Sequence, residues 1–276
     1  MAKIGAKKGI LDIILYLIVF IVSQLVVTYL GAFIWSWLKH TPFPSVVSDM
    51  GTGSNSALLA LTTVFSSVIS FIVFLKLKWV TLRRDYLQSK PWFTLLWIAL
   101  FTIGAVIPLE FLYENLGIEM DGTTSKVFEG LLKEPWGYVA VGILAPLVEE
   151  VVFRGAILRT LLGMMSKKNH WVAIMISAAL FGLVHGNTAQ FVNALLMGLL
   201  LGWMYYRTQS LVPGIMLHWV NNTVAYVLTN LLPPGKDKLI DIFGGDGKTV
   251  YYAVGFSLCI LVPSFIQMIQ RLQRAK

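Results

Sequence analysis

Eight stretches of roughly twenty apolar residues divide this chain, and that spacing leaves it few ways to fold. Hydrocarbon offers a peptide group no hydrogen-bond partner, and a run of about 20 residues satisfies its own backbone by crossing as a helix. The runs are Ile10–Leu38, Ala57–Leu77, Pro91–Leu112, Trp136–Leu162, Trp171–His185, Gln190–Tyr206, Leu211–Leu232 and Val250–Ile269. Only 13% of residues are charged and 57% are hydrophobic, where a soluble domain carries about 25% charged residues. The expected fold is an all-α membrane protein of about eight transmembrane helices around an intramembrane polar cavity, with residues 1–276 forming a single polytopic membrane domain. No small-residue cleavage site follows the first run, which therefore reads as a span and not as a removable signal peptide. The fifth and sixth runs are short, rising about 24 Å, and only Gly186–Ala189 separates them. Their connection is expected below the outer surface, buried against other helices.

Orientation follows from the basic residues. With the N-terminus in the cytoplasm, six of the 22 Lys and Arg fall outside: Lys39, Lys126, Lys133, Lys236, Lys238 and Lys248. The remainder fall inside, including Lys3 at the start and Arg274 and Lys276 at the end. This is a positive-inside bias, and an even number of spans puts both termini in the cytoplasm. The net charge of +8 therefore reports topology and contact with the lipid bilayer, not nucleic acid, because no single basic patch collects it. The single cysteine, Cys259, excludes an intramolecular disulfide and a cysteine-based metal site.

Polar residues deep in the runs are few. A charge at the centre of a membrane helix costs about 2.5–3.5 kcal/mol, and such residues usually face the protein interior and serve a function. They are Glu149, Glu150 and Arg154 in the fourth run, His185 in the fifth, Asn193 in the sixth, and His218, Asn221 and Asn222 in the seventh. Glu150 and Arg154 stand four apart with the acid first, the favourable order for a pair on one helix face. Glu149 lies about 100° around the helix, so Arg154 can neutralise Glu150 and leave Glu149 facing elsewhere. Pro146, upstream, is expected to bend this helix and open a cavity. Phe181 and His185 are four apart, as are His218 and Asn222, and each pair is expected on one face. Any one of these groups alone could be a hydrogen-bonded helix contact. Glu149 and His218 each come out about 10 Å from the inner face, and His185 about 20 Å from it. His185 needs a tilted helix, or one starting below the surface, to reach their level.

A glutamate, two histidines and an asparagine around a wet cavity suit hydrolysis. Glu149 would take a proton from water that His185 helps to hold, and His218 and Asn222 would donate to an oxyanion. The same Glu149, His185 and His218 could instead ligate zinc; the residues alone fit both.

In order and spacing, "EEVVFR", "FGLVH" and "HWVNN" resemble the EExxxR, FxxxH and HxxxN/D motifs of the type II CAAX prenyl endopeptidase and bacterial Abi (CPBP) intramembrane proteases. The resemblance covers residues 144–223, the expected protease core. It implies Glu149 and His185 as the water-activating residues, His218 and Asn222 as the oxyanion hole, and Glu150, Arg154 and Phe181 as support. It also implies no resident cofactor. The expected activity is cleavage of a membrane-associated peptide or lipidated protein, in peptide maturation or bacteriocin self-immunity. Short loops and the lack of an organelle signal point to a bacterial cell membrane. The competing expectations are a non-catalytic immunity or binding protein that uses the same cavity, and an ion-coupled transporter, for which no broken-helix repeats speak.

Overall fold

The computed structural model describes residues 5–233 and 238–272; Lys3, Lys236, Arg274 and Lys276, used in the charge balance above, lie outside them. All eight apolar runs are helical, and among the described residues there is no strand. Five helices are long and apolar enough to cross a membrane: α1 (Ala6–Lys39), α3 (Ser56–Lys76), α5 (Trp92–Leu116), α10 (Thr188–Thr208) and α13 (Gly247–Arg271). The chain is an integral membrane protein. The other three runs depart from that simple form. The fourth is a continuous helical rod over residues 138–164 that is not α-helical throughout. The fifth, α9 (His170–Leu183), has 14 residues. The seventh, α11 (Val212–Leu231), carries the polar His218, Asn221 and Asn222 along its length.

The rod alternates two geometries. Segments Tyr138–Leu144 and Glu150–Leu158 are π-helical, while α7 (Ala145–Glu149) and α8 (Arg159–Met164) are α-helical. Ala145 N–H bonds to Ala140 O, five residues back, and Arg159 N–H reaches Arg154 O in the same way. Pro146 brings no N–H to the ladder. The sequence leads to the expectation of a bend at this proline; the helix carries widened turns on both sides of α7. Such π turns are frequent at functional sites. Sequence reading also missed four helices between the runs: α2 (Phe43–Thr52), α4 (Asp85–Gln88), α6 (Gly122–Lys133) and α12 (Leu239–Ile242).

The chain forms two compact units, each built from two separated segments. The first comprises residues 1–82 and 120–203. Its centre is the rod, whose residues from Val151 to Leu158 are all fully buried. Small hydroxyl residues on α3 allow α1 to approach closely. Ser23 and Ser70 hydroxyls lie 2.6 Å apart, and a side chain at Gly31 would meet Thr62. Thr62 and Thr63 return their hydroxyl protons to carbonyls on their own helix, so neither donor is stranded between the helices. The outward side of α1, from Ile10 to Leu38, exposes large apolar residues, as a lipid-facing helix does. At one end of the unit Arg159 donates to Thr81 Oγ1 at 2.6 Å and to Trp79 O at 2.8 Å. At the other end α2 and α6 gather, with Gly53 beside Lys126 and Val127 and Gly130 against Ser56. The charge bias of the sequence assigns the first end to the cytoplasm and the second to the exterior.

The second unit comprises residues 83–119 and 204–276. Its main contact joins α5 to α13. Gly104 permits it, because a Cβ there would stand 2.8 Å from the backbone nitrogen of Leu261. Phe101 with Phe265 and Phe111 with Tyr251 extend the seam, with ring centroids 5.6 and 5.8 Å apart. At one end Glu114 accepts the Leu239 N–H at 2.6 Å, and Lys238 pairs with Glu119 at 3.4 Å. At the other end Arg207 donates from Nε and Nη2 to the Leu272 carbonyl at 3.0 and 2.6 Å. Helix α10 begins in the first unit and ends in the second.

Candidate active site

The charged residues of the fourth run sit at the change of helix geometry. Glu149 ends α7 and Glu150 begins the second π segment. Their environments differ as their angular offset requires. Glu150 is 1% exposed and Arg154 0%, whereas Glu149 is half-buried. Arg154 Nη1 donates to Glu150 Oε1 at 2.7 Å. Pairing offsets part of the cost of burying two opposite charges. Here Arg154 Nη2 also donates to the Gly198 carbonyl of α10 at 3.3 Å, and the guanidinium lies over the Phe181 ring, 4.5 Å from its centroid. The Glu149 carboxylate is within electrostatic reach of the same guanidinium.

Phe181 passes this order on to His185. Its ring meets the imidazole edge-on, with centroids 4.9 Å apart and planes at 89°, and it also packs against Phe153 at 5.0 Å. His185 is not on the helix, as its spacing from Phe181 led one to expect. Helix α9 stops at Leu183, and the chain turns before Gly186, whose φ is +77°. That turn brings His185 N–H to Gly182 O at 3.1 Å and Nδ1 to Phe181 O at 2.8 Å. A bond from Nδ1 to a carbonyl requires the proton on Nδ1, so Nε2 keeps the lone pair that accepts from water. Glu150, Arg154, Phe181 and His185 are therefore one connected assembly within the first unit.

His218, Asn221 and Asn222 belong to the second unit, on α11. His218 is 3% exposed, and the two asparagines are half-buried. Asn221 Nδ2 donates to Asn222 Oδ1 at 3.1 Å. This occupies the carbonyl side of the Asn222 amide and leaves its NH₂ as the side that donates onward. Asn193, on α10, is half-buried in the first unit. No group of three His, Cys, Asp or Glu side chains is gathered at metal-ligand spacing among the described residues.

Several supporting residues escaped the sequence reading. Gly198 supplies the carbonyl that Arg154 reaches, and a Cβ there would stand 2.9 Å from that of Ala178 on α9 and 3.3 Å from Arg154 Nη2. Gly202, four residues on, packs against Ile174. The string "GLLLG" was the available signal, because small residues four apart let two membrane helices approach. Ser177 donates to the Phe153 carbonyl at 2.9 Å, tying α9 to the π segment. Residues 131–224 match the family model described as Type II CAAX prenyl endopeptidase Rce1-like, the family that the three motifs resemble, and the matched stretch contains all three. No curated protein and no solved structure matches the chain.

Proposed function

We propose that this chain, matching the Rce1-like type II CAAX prenyl endopeptidase family over residues 131–224, is an intramembrane endopeptidase acting through glutamate-activated water. Glu149 takes a proton from water, and the oxygen attacks the scissile carbonyl. His185 holds that water through Nε2. The carbonyl becomes a tetrahedral oxyanion that accepts hydrogen bonds from His218 and from the Asn222 NH₂. Glu149 then returns the proton to the leaving amide nitrogen, and the C–N bond breaks. Glu150, Arg154 and Phe181 position His185 and touch no reacting atom. The observation that carries this reading is the buried assembly from Glu150 to His185, which orders one histidine at considerable cost within the family-matched segment. The substrate is a membrane-associated peptide or lipidated protein, and the setting a bacterial cell membrane, in peptide maturation or self-immunity.

The test is comparative peptidomics of cells carrying wild-type protein or Glu149→Gln. The substitution removes the base and keeps the shape, so a product set present in wild type should vanish while protein levels hold. Unchanged products would sink the proposal, and unchanged immunity in Glu149→Gln cells would favour a non-catalytic binder. Metal analysis of purified active protein decides between water activated by glutamate and water activated on zinc.

A further inference from the structure

The second unit contains a pocket of about 750 Å³ that none of the motif residues lines. Three separated segments form it: the stretch around α4 and the start of α5, the turn between α10 and α11, and the end of α13. Arg83, Lys90 and Arg271 line it. All three fall on the side that the charge bias assigns to the cytoplasm. Among the described residues none of them has an ion-pair partner, although Asp85 lines the same pocket. The placement of Arg271 is built in. Arg207 pins the Leu272 carbonyl with two bonds, which holds the adjacent Arg271 at the rim, and Arg271 Nε is steered by Gln267 Oε1 at 3.1 Å.

The pocket also holds a donor without a mate. The Tyr86 hydroxyl is buried, with Thr94 nearby but no hydrogen bond made. A buried hydroxyl left this way is costly and calls for an acceptor. Burial pushes the phenol up to about 12, so it remains an O–H donor at neutral pH. Three cations and a neutral donor match an oxyanion with several acceptor oxygens. Phe93 and Pro91 add apolar wall beside them.

We propose that this pocket binds a phosphate group, the chemistry shared by an anionic phospholipid headgroup and a free phosphate. The site is independent of the proposed hydrolysis and would stand if that reading failed.

The experiment is a titration of the full-length protein in neutral detergent, read by native mass spectrometry. Phosphatidylglycerol, phosphatidylcholine and inorganic phosphate are the probes. One-to-one binding of phosphatidylglycerol, or of phosphate, with none of phosphatidylcholine is the expected result. Binding of phosphatidylglycerol that millimolar phosphate does not displace identifies a lipid headgroup. Binding of phosphate alone identifies the free anion. A basic residue near a charged surface is worth about a fivefold change in affinity. Arg83→Gln, Lys90→Gln and Arg271→Gln should each weaken binding about fivefold, and together about a hundredfold. Asp85→Asn should tighten it. The charge-keeping set Arg83→Lys, Lys90→Arg and Arg271→Lys should retain most of the affinity; if the triple glutamine variant fails to fold, the single variants decide. Equal binding by wild-type and glutamine variants, or saturation by phosphatidylcholine, would overturn the proposal.

Discussion

The buried pair of the first unit permits a double substitution whose two readouts should separate. Arg154→Met removes a guanidinium that is 0% exposed and leaves the 1%-exposed Glu150 carboxylate without its 2.7 Å partner. Stranding one member of a buried pair costs about 3–5 kcal/mol. Adding Glu150→Leu removes the stranded charge. Replacing both members with apolar groups of similar volume is neutral or stabilising by about 1–4 kcal/mol. The double variant should therefore be more stable than Arg154→Met by at least about 3 kcal/mol, read by equilibrium unfolding of purified protein in mixed micelles with circular dichroism. Turnover should not follow. The guanidinium lies 4.5 Å over Phe181, and Phe181 holds His185 edge-on; a methionine offers no planar cation there. A displacement of about 1 Å at the histidine can cost about a hundredfold, so the stable double variant should still cleave about a hundredfold more slowly. If it is as unstable as Arg154→Met, the cost does not come from a stranded carboxylate. If it recovers full turnover, Arg154 does not position His185.

Removing one oxyanion donor costs about 10²–10³ in kcat, so Asn222→Ala should fall by that much with little change in KM; Asn221→Ala, which only frees the Asn222 amide to rotate, should fall less, and equal losses would refute its orienting role. Gly198→Ala would put a methyl 2.9 Å from Ala178 Cβ, and a lowered melting temperature equivalent to about 1–3 kcal/mol is expected; unchanged melting would contradict the close α9–α10 approach. Asp121 caps α6, and the Thr124 hydroxyl, with the Thr124 and Thr123 N–H groups, holds its carboxyl below the usual range. A depressed folded value means this cap stabilises at neutral pH and is lost as pH falls through it. Amide exchange in α6 should accelerate in that acid range, and in Asp121→Asn it should lose this pH dependence.

The apolar runs located every long helix, because lipid demands about 20 uninterrupted apolar residues and the sequence has few other places to put them. Charge ordering placed Arg83, Arg159 and Arg271 among the inner segments. Helices α2 and α6 went unseen because they are short and lie between runs, where the polarity that marks a loop also marks an exposed helix face. Within the site, the Glu150–Arg154 pair was legible from spacing alone. The connection from Arg154 through Phe181 to His185 was not, since it depends on α9 ending at Leu183 and on a turn at Gly186 that places His185 off the helix yet against the same ring. The π segments were also beyond reach. Nothing in the spacing of "EVVFRGAIL" marks a π turn, since the Glu150–Arg154 separation of four is that of an ordinary α-helix face.

Those π segments have a consequence for which changes the rod can absorb. A turn that closes over five residues holds one residue that an α-helix of the same rise would not need. Substitution at such a position alters one side chain. Deletion of that residue would let the ladder close as α-helix and keep the flanking turns near their present bearing, whereas a deletion in an α-helical part of the rod would rotate Glu149 by about 100° relative to the anchor that Arg159 makes with Trp79 and Thr81. The bearing of Glu149 is thus set by a count of residues as much as by any contact. A single-residue deletion should therefore be better tolerated in the π segment than in α7 or α8 on either side of it.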